Sequence, residues 1–391
     1  MRILFPIHYP VFGGPHNQAL RLAPRLHARG VDLVVALPRE AGNAADRLRD
    51  AGVAVTELDL RRPRPLREAR ANLAFGLAFT PDVLGLRRVI LEGRFDLVLI
   101  AGLVTPHAAF AAKLAAVPLV WQIVDTRVPP IARRAIMPLV GALADAVMTT
   151  GTAVARLHGA DAFGRRLVIF YPPVDTDEFA PSATSRASAR AELGLSESDL
   201  VIGTVANVNP QKGHHTFVRA AGALARTRQA RFVVLGAQYA HRAGYVASLR
   251  DLAASLGIRP DVDLIMRDPD RDVARLLNAF DVFWLCSEPR SEGAPTVIGE
   301  AMATGIPVVS VDVGSVREII VDSETGRIVP VRDHNAIARA TLDLLRRVDL
   351  AAMRRAARRK AEELFGLDAC LEAHLRAFET ARGATVARTT A

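Results

Sequence analysis

The chain has 391 residues, of which half are hydrophobic and 5% are aromatic, and its net charge is +9. This length exceeds what one hydrophobic core usually serves, so we expect two domains. The two cysteines, Cys286 and Cys370, lie too far apart and lack the spacing that would suggest a disulfide scaffold or a zinc site.

The N-terminus reads as a first strand and not as a signal peptide. No apolar run reaches the roughly 18 residues of a membrane-spanning helix, so a cytoplasmic protein is expected. Residues 1–176 hold 22 Lys and Arg against 14 Asp and Glu, whereas the remainder holds 28 against 27. No aromatic interleaving and no zinc-finger or RNA-binding motif accompanies this charge, so nucleic acid is not an expected partner.

Strand and helix patterns alternate through the first half, which is typical of a parallel α/β sheet. Helices are predicted between the strands, for example at 18–29 and 108–115. The predicted strands are 2–7, 31–37, 53–58, 96–100, 118–124, 146–150 and 167–171.

Two glycines, Gly13 and Gly14, separate the first strand from a helix predicted to begin near Asn17. Such a turn lets the backbone approach a phosphate closely. A plain tight turn explains the pair as well, and a complete G-x-G-x-x-G dinucleotide motif is absent.

The densest basic cluster lies between the third and fourth strands. It predicts either a solvated surface or contact with an acidic partner or an anionic membrane. Leu73, Phe75, Leu77 and Phe79 alternate as in a strand, so the pattern does not complete an amphipathic helix beside the cluster. The cluster consists of Arg61, Arg62, Arg64, Arg67 and Arg70.

A breaker at 171–175 and a Ser/Ala/Arg-rich stretch at 181–190 predict a domain boundary, giving domains 1–176 and 177–366. The alternation of strands and helices then restarts. Helices are predicted at 215–227, 245–256, 272–279 and 295–303. The predicted strands are 201–205, 232–235, 262–266, 282–285, 307–311 and 327–329.

Lys212 is one of three lysines among 50 basic residues, and it lies in V-A-N-V-N-P-Q-K-G-H-H, directly after a predicted strand. A lysine there indicates a site that needs a compact positive charge, although an exposed loop lysine is the alternative. The neighbouring His214 and His215 would not face each other on a helix, so no metal-ligand pair is expected.

The most informative stretch is S-E-P-R-S-E-G-A-P-T-V-I-G-E-A-M-A-T-G at 287–305. Glu292 falls in a loop, a helix is predicted to begin at Pro295 and Thr296, and Glu300 is placed in about the first turn. The free N–H groups of a helix start favour an anion, and carboxylates accept hydrogen bonds from sugar hydroxyls. The alternative is a solvated loop carboxylate and an acidic residue placed by the helix dipole.

This stretch resembles the Glu-seven-residues-Glu signature of retaining glycosyltransferases with the GT-B fold, glycosyltransferase family four (glycosyl transferases group 1). The segment 312–318, D-V-G-S-V-R-E, is similar to the family's Gly-Gly-x-x-Glu, with Ser315 in place of a glycine. The resemblance implies an α/β protein of two doubly wound Rossmann-like domains facing a central cleft. It places the acceptor on domain 1–176, the nucleotide sugar on 177–366, and the last helix, within 367–391, back on the first domain.

The implied activity is a hexosyl transfer from a nucleotide diphosphate sugar to a hydroxyl of a glycan, a lipid-linked acceptor or a small aglycone. It requires neither a cofactor nor a catalytic metal, since cations and helix ends hold the diphosphate. The protein would be cytoplasmic, with a peripheral place at the inner face of an anionic membrane as an option.

The resemblance assigns roles to single residues. Lys212 and the helix start bind the diphosphate, Glu300 the ribose and Glu292 the donor sugar, while Gly13 and Gly14 close over the donor. The donor-binding set is Gly13, Gly14, Asn207, Lys212, Arg267, Ala294, Pro295, Thr296, Val297 and Glu300.

Two positions depart from the family pattern. Asn207 stands where the family often has an arginine, and it cannot neutralise charge. The family's histidine at the end of strand 118–124 is absent, which leaves Asp125 and His107 beside Glu292 as catalytic candidates. Asp125 is equally a turn or capping residue, whereas a lone histidine such as His107 is more often structural. Arg267 is placed near the nucleobase.

Two other classes of function share this pattern. An epimerase or a sugar phosphorylase would use the same architecture, and its products separate it from a transferase. A non-enzymatic two-domain sugar binder would bind without turnover and would usually carry an export signal.

Overall fold

The computed structural model describes residues 1–62, 68–124, 126–270 and 272–389, and the chain divides into two compact units. Unit 1 contains Met1–Pro173 together with Leu367–Ala391, and unit 2 contains Val174–Gly366. The boundary follows Pro173, a few residues before the position predicted from the breaker segment.

Unit 1 is built on one sheet of seven parallel strands. These strands are β1 (Arg2–Pro6), β2 (Asp32–Pro38), β3 (Ala54–Leu58), β4 (Leu97–Ala101), β5 (Leu119–Ile123), β6 (Ala146–Thr150) and β7 (Leu167–Phe170). Their order across the sheet is β3-β2-β1-β4-β5-β6-β7. The direction of winding reverses between β1 and β4, and doubly wound sheets bind ligands at the carboxyl ends of such a pair.

Helices cover both faces of this sheet, so its strands are largely apolar along their whole length. The last helix of the chain also belongs to unit 1. The helices are α1 (Gly14–Ala28), α2 (Ala44–Asp50), α3 (Ala69–Glu92), α4 (Pro106–Leu114), α5 (Pro130–Leu143), α6 (Thr152–His158) and, at the C-terminus, α15 (Leu367–Thr389).

The strand-like pattern expected at residues 73–79 is wrong, because this segment lies inside α3. The alternation arises from two interleaved i,i+4 pairs. Phe75 and Phe79 turn toward α4, where their rings lie 5.9 and 6.4 Å from the ring of His107, whereas Leu73 and Leu77 are exposed. Side chains four residues apart share one face of a helix, so two such pairs imitate the period of a strand.

The C-terminal helix α15 packs on the sheet of unit 1 through polar as well as apolar contacts. Arg25 pairs with Asp368 across 2.7 Å. The imidazole of His374 is fully buried, and its Nε2 lies 2.9 Å from the amide nitrogen of Gln18 and 2.8 Å from that of Gln122. Burial lowers the pKa of His374 to about 4, so this ring is neutral and can accept a hydrogen bond inside the core.

Unit 2 repeats the design with six parallel strands, so the sequence prediction of two Rossmann-like sheets is confirmed. The strands are β8 (Val201–Val205), β9 (Arg231–Leu235), β10 (Leu264–Arg267), β11 (Val282–Leu285), β12 (Val308–Val311) and β13 (Arg327–Val329). Their order is β10-β9-β8-β11-β12-β13, with the reversal between β8 and β11.

Eight helices of unit 2 connect or cover these strands. They are α7 (Ala183–Glu192), α8 (His214–Ala225), α9 (Ala243–Ser255), α10 (Val273–Leu277), α11 (Thr296–Ala303), α12 (Val316–Ile319), α13 (His334–Leu345) and α14 (Leu350–Phe365). Among the described residues of both units, none of the helices combines the length and the apolar character needed to cross a bilayer.

A buried arginine ties α7 to the amino ends of the central strands. Arg190 is almost completely buried, and its guanidinium donates to Asp281 Oδ2 at 2.8 Å. It also donates to four backbone carbonyls, including those of Ser196 at 2.7 Å and Ala279 at 3.2 Å. Asp281 in turn accepts from the Val201 amide at the start of β8. Removing this guanidinium would leave several buried acceptors unpaired.

We therefore expect Arg190→Met to lower the free energy of unfolding of unit 2 by about 3–5 kcal/mol, as for other broken buried ion pairs. Urea unfolding measures the effect. Arg226→Met, which changes an exposed arginine, is the matched control and should shift stability by less than about 0.5 kcal/mol. Equal midpoints for the two variants would contradict the anchoring role of Arg190.

Candidate functional site

Two loops meet at the carboxyl ends of β8 and β11, where the winding of unit 2 reverses. Lys212, in the loop after β8, places its Nζ 2.7 Å from Oε1 of Glu292, in the loop after β11. The Ser287 hydroxyl donates to the same oxygen at 2.6 Å. The Glu288 amide donates to the Gln211 carbonyl at 2.9 Å. The structure therefore brings together Lys212 and Glu292, which the sequence places 80 residues apart.

The ion pair is buried unequally. Glu292 is only 8% exposed, whereas the side chain of Lys212 is 30% exposed. Both donors reach Oε1 of Glu292, so Oε2 keeps its capacity to accept a further hydrogen bond. The pair thus offers a cation that an anion can approach from solvent and a fixed carboxylate oxygen for a hydroxyl group.

Two glycines with positive φ let the backbones of these loops touch. Gly213 has φ +67°, and a Cβ there would lie 1.8 Å from the carbonyl oxygen of Cys286. Gly314 has φ +53°, and its Cβ would lie 2.2 Å from the carbonyl oxygen of Gly293, which also accepts from the Ser315 amide at 2.8 Å. The segment D-V-G-S at 312–315 therefore packs directly against the loop of Glu292. At Gly213 and at Gly314 a larger residue would clash with the neighbouring backbone, so only glycine fits.

Helix α11 begins directly after this loop. Its first residue is Thr296, and Pro295 is the N-cap. Ala294 and Pro295 are buried, whereas Thr296 and Val297 are partly exposed. The first N–H groups of a helix have no intrahelical acceptor, so this end of α11 offers donors and partial positive charge directly after the loop that holds Glu292.

The placement of Glu300 in about the first turn of α11 is wrong. Because the helix starts one residue after Pro295, Glu300 is its fifth residue and lies in the second turn, and the first turn holds no acidic side chain. Glu300 is partly exposed.

Asn207 lies at the rim of the same loop with an exposed side chain. Its carbonyl oxygen lies 3.2 Å from His214 Nε2. His214 is buried at the start of α8, while His215 packs its ring against Tyr245 at 5.0 Å. The two histidines thus lie in different environments. Among the described residues, no group of three or more His, Cys, Asp or Glu is arranged to hold a metal ion.

Arg267 is not brought close to Lys212 by the sheet. It ends β10, the outermost strand, and β9 separates β10 from β8. Its guanidinium pairs with Glu192 of α7 across 2.8 Å. In this position Arg267 links two surface elements, and its predicted place near a nucleobase stays a prediction.

In unit 1, Gly13 and Gly14 follow the carboxyl end of β1, where winding also reverses. Gly13 is the N-cap of α1 with an extended backbone, φ −159°, and its N–H donates to His16 Nδ1 at 3.1 Å. A Cβ on Gly14 would meet nothing within 4 Å, and one on Gly13 nothing closer than 3.5 Å. The fold itself therefore does not require glycine at either position. A ligand that approaches the backbone closely would explain why glycines stand there.

His107 follows β4 at the same edge of the unit 1 sheet, but its ring is fully buried beside Phe75 and Phe79. Burial lowers its pKa to about 4, and neither ring nitrogen has a hydrogen-bond partner among the described residues. This buried, apolar environment favours a structural role for His107 over a catalytic one. Asp125, the other candidate, lies outside the described residues.

Two further histidines at this edge were not singled out from the sequence. Burial, followed by the charge of Arg62, lowers the pKa of His8 to about 3. Burial lowers the pKa of His16 to about 4, and its Nε2 lies 3.1 Å from the Tyr9 carbonyl oxygen. Their position on either side of the Gly13-Gly14 pair was the available signal. The carboxyl end of β1 therefore presents neutral imidazoles.

Two sequence families match the two units of the chain. Residues 185–363 match the family described as glycosyl transferases group 1, and residues 13–173 match the glycosyl transferase 4-like domain.

Curated relatives carry the same kind of name. A D-inositol 3-phosphate glycosyltransferase of Mycobacteroides abscessus is 32% identical over 189 residues, which are 48% of this chain and 41% of the relative. A GDP-mannose-dependent alpha-(1-6)-phosphatidylinositol monomannoside mannosyltransferase of Mycolicibacterium smegmatis is 32% identical over 224 residues, 55% of this chain and 56% of the relative. The chain thus spans about half the length of the curated relatives it matches.

Solved structures agree with the fold over nearly the whole chain. The Anabaena HepE complex with UDP superposes with a TM-score of 0.81 at 20% identity, covering 97% of this chain and 100% of that one. A glycosyltransferase from Rickettsia africae gives a TM-score of 0.80 at 18% identity, covering 97% of each chain. The expected fold of two Rossmann-like domains is confirmed.

The glycines of the two units are expected to respond differently to the same substitution. Gly213→Ala should lower the melting temperature by several degrees, because it adds a backbone clash at a positive φ. Gly14→Ala has room for its methyl group and should leave the melting temperature unchanged while weakening nucleotide-sugar binding. Thermal unfolding and ligand titration of both variants measure this. Normal ligand binding by Gly14→Ala would show that the Gly13-Gly14 pair only forms a tight turn and does not contact the donor.

Proposed function

This chain belongs to the glycosyltransferases of the GT-B fold, and we propose that it transfers a sugar from a nucleotide diphosphate sugar to an acceptor hydroxyl with retention of anomeric configuration. The observation that carries the proposal is the Lys212–Glu292 ion pair at the carboxyl ends of β8 and β11. It joins a solvent-accessible cation and a buried carboxylate next to a helix start, which are the groups that a diphosphate and a sugar require.

The diphosphate is bound by Lys212 and by the N–H groups at the start of α11. Lys212 keeps its ion pair with Glu292, and the remaining N–H donors on the exposed side of its ammonium group bind the phosphate oxygens. Thr296 and Val297 supply backbone donors. Asn207 adds a hydrogen bond without charge. Lys212 and the start of α11 offset part of the diphosphate charge, and we propose a reaction without a catalytic metal or other cofactor.

The two glutamates serve different parts of the donor. Glu292 is fixed by two donors on Oε1, so its Oε2 is oriented to accept a hydroxyl of the donor sugar. Glu300, one turn further along α11, accepts from the ribose hydroxyls. A buried, immobilised carboxylate distinguishes sugar epimers, since the wrong hydroxyl geometry would leave it unpaired.

In the proposed reaction, the bond between the anomeric carbon and the diphosphate oxygen breaks, and a bond forms from the same face to the acceptor oxygen. The acceptor proton passes to the leaving diphosphate oxygen. Lys212 and the α11 start stabilise the negative charge that develops on that oxygen, and orientation of the two substrates supplies much of the remaining rate. A base from the protein is not needed, which agrees with the buried position of His107.

We propose an acceptor that carries a phosphate beside its hydroxyl groups. The names of two relatives contain D-inositol 3-phosphate and phosphatidylinositol monomannoside, and residues 1–176 of this chain have an excess of eight positive charges. An anionic acceptor fits this charge. A neutral polysaccharide or a small aglycone is the alternative, and a lipid-linked acceptor would require the peripheral location that the sequence predicts as an option.

The experiment that tests the activity incubates the protein with UDP- and GDP-hexoses and candidate acceptors, and follows the anomeric proton of the product by NMR. Transfer with the donor's anomeric configuration supports the proposal. An epimerised or phosphorolysed sugar without transfer would identify one of the other enzyme classes, and tight binding without turnover would identify a sugar binder.

Lys212→Ala should weaken binding of the nucleoside diphosphate about 10- to 150-fold, because it removes a charge-assisted contact of about 1.5–3 kcal/mol. Lys212→Arg should restore only part of the affinity, since the site holds a compact ammonium. Isothermal titration with UDP and GDP measures the loss, with Lys360→Ala as a control for a lysine elsewhere. Wild-type affinity in Lys212→Ala would refute its assignment.

Glu300→Gln and Glu292→Gln are expected to separate nucleotide binding from sugar binding. The Glu300 variant should bind free nucleoside diphosphate more weakly. The Glu292 variant should bind it nearly normally but lose turnover and discrimination between sugars. Titration with the diphosphate and comparison of kcat/KM for two donor sugars provide the data. A reversed pattern, with Glu292→Gln losing nucleotide affinity alone, would show that the roles are exchanged.

A further inference from the structure

The outward face of α3 carries a row of exposed leucines. The exposed fractions are 65% for Leu73, 74% for Leu77, 55% for Leu84 and 45% for Leu91. At 3.6 residues per turn these four positions fall within a stripe about 40° wide along the helix. Scattered exposed leucines are ordinary, but four leucines on one stripe of a single helix, over five turns, indicate a surface that another body covers.

The opposite face of the same helix is already packed in the core of unit 1. Val83, Leu86 and Ile90 are buried there. Helix α3 is therefore apolar on two sides, one of which faces its own sheet. A surface helix of an isolated domain usually has a polar outer side, so the leucine row is not explained by the folding of unit 1.

Arginines border the row on both sides. On a helical projection Arg70 and Arg88 lie on one flank and Arg87 on the other, and all three are exposed. Arg87 also donates from Nε to the Leu114 carbonyl oxygen at 3.0 Å. Of the two acidic residues of α3, Asp82 is buried and paired with Arg61 across 2.7 Å, and Glu92 is the last residue of the helix. The outward face thus combines an apolar centre with positive edges.

We propose that α3 lies flat on the surface of an anionic lipid bilayer. The leucines enter the boundary between headgroups and acyl chains, and the flanking arginines extend to lipid phosphates. None of the described helices is able to cross a bilayer, so α3 is an interfacial and not a spanning helix. The membrane contact itself does not depend on the proposed function. Its purpose does, since the contact would bring the enzyme to a lipid-linked acceptor.

The surface differs from the one that the sequence predicts. Arg61 is held by Asp82, and Arg62 pairs with Glu40 across 3.0 Å, so these two arginines are engaged within unit 1. Arg64 and Arg67 lie outside the described residues. Membrane contact is therefore assigned to the leucine row and its bordering arginines, of which Arg70 alone belongs to the predicted cluster.

A second copy of the chain fits this face less well. In a two-fold packing of α3 against itself, the arginine edges of one copy would lie along arginine edges of the other. Glu92 alone is available on the exposed part of the helix to compensate them. An anionic bilayer supplies negative charge along the whole length of both edges, which favours lipid as the partner.

The test is sedimentation of the full chain with vesicles of phosphatidylcholine containing 30% phosphatidylglycerol (about the anionic content of a charged leaflet), at low and high salt. We expect binding that weakens as salt rises. Leu73→Gln/Leu77→Gln should weaken it at least about tenfold. Arg87→Gln/Arg88→Gln should weaken it roughly 25-fold, from about 1 kcal/mol per arginine. The matched controls are Val348→Gln and Arg226→Gln, which change an exposed apolar residue and an exposed arginine of unit 2.

Failure of wild type to bind at low salt, or unchanged binding by the leucine variant, overturns the proposal. So does a wild-type dimer in analytical ultracentrifugation that becomes a monomer in Leu73→Gln/Leu77→Gln, because a second copy would then cover the row. Stabilisation of the protein by UDP or GDP is measured on the same samples without vesicles. Stabilisation by UDP or GDP without vesicle binding refutes only the proposed membrane contact. Vesicle binding without such stabilisation refutes only the nucleotide-binding function.

Discussion

The reversal of strand order between β8 and β11 is the constraint on which the site of unit 2 depends. It places the ends of two neighbouring parallel strands side by side while their chains leave in opposite directions, which opens a crevice between the loops. The loops still approach closely enough for Gly213 to touch the Cys286 carbonyl group, and a side chain at Gly213 would prevent this contact. The Lys212–Glu292 pair forms across that approach. Backbone packing thus sets the distance between two charges that are remote in sequence.

The pair also shows how a fold can hold the groups of a proposed ligand site in a fixed arrangement. A buried carboxylate without a partner is costly, and Lys212 together with Ser287 removes this cost for Glu292. Because Lys212 stays partly exposed, an anion can compete for it without unfolding the loop. Such an arrangement limits the reorganisation that binding requires, which is the main advantage of preorganised electrostatic sites.

Unit 1 uses the same topology with different chemistry. The edge near β1 and β4 holds neutral imidazoles, of which those of His16 and His107 are buried and that of His8 is partly exposed, and two glycines that the local packing does not require. Uncharged rings and open backbone suit contact with hydroxyl groups. Arg62, which donates to the His8 carbonyl oxygen, brings positive charge to the same edge, and unit 1 carries further arginines on the surface of α3. The anion site and the lipid-facing surface that we propose are therefore carried by separate parts of the chain.

The sequence by itself determined the layered architecture, since each strand of both sheets overlaps a segment that local patterning predicts as a strand. It also singled out Lys212, by its rarity, and Glu292, by its motif. Only the tertiary structure decided which predicted residues meet. It paired Arg267 with Glu192, buried His107 under two phenylalanine rings, and made residues 73–79 part of a helix. The reason is that strand propensity and turn formation depend on residues that are neighbours in the chain. Burial, ion pairing and whether residues 73–79 form a helix or a strand depend instead on partners that other elements supply.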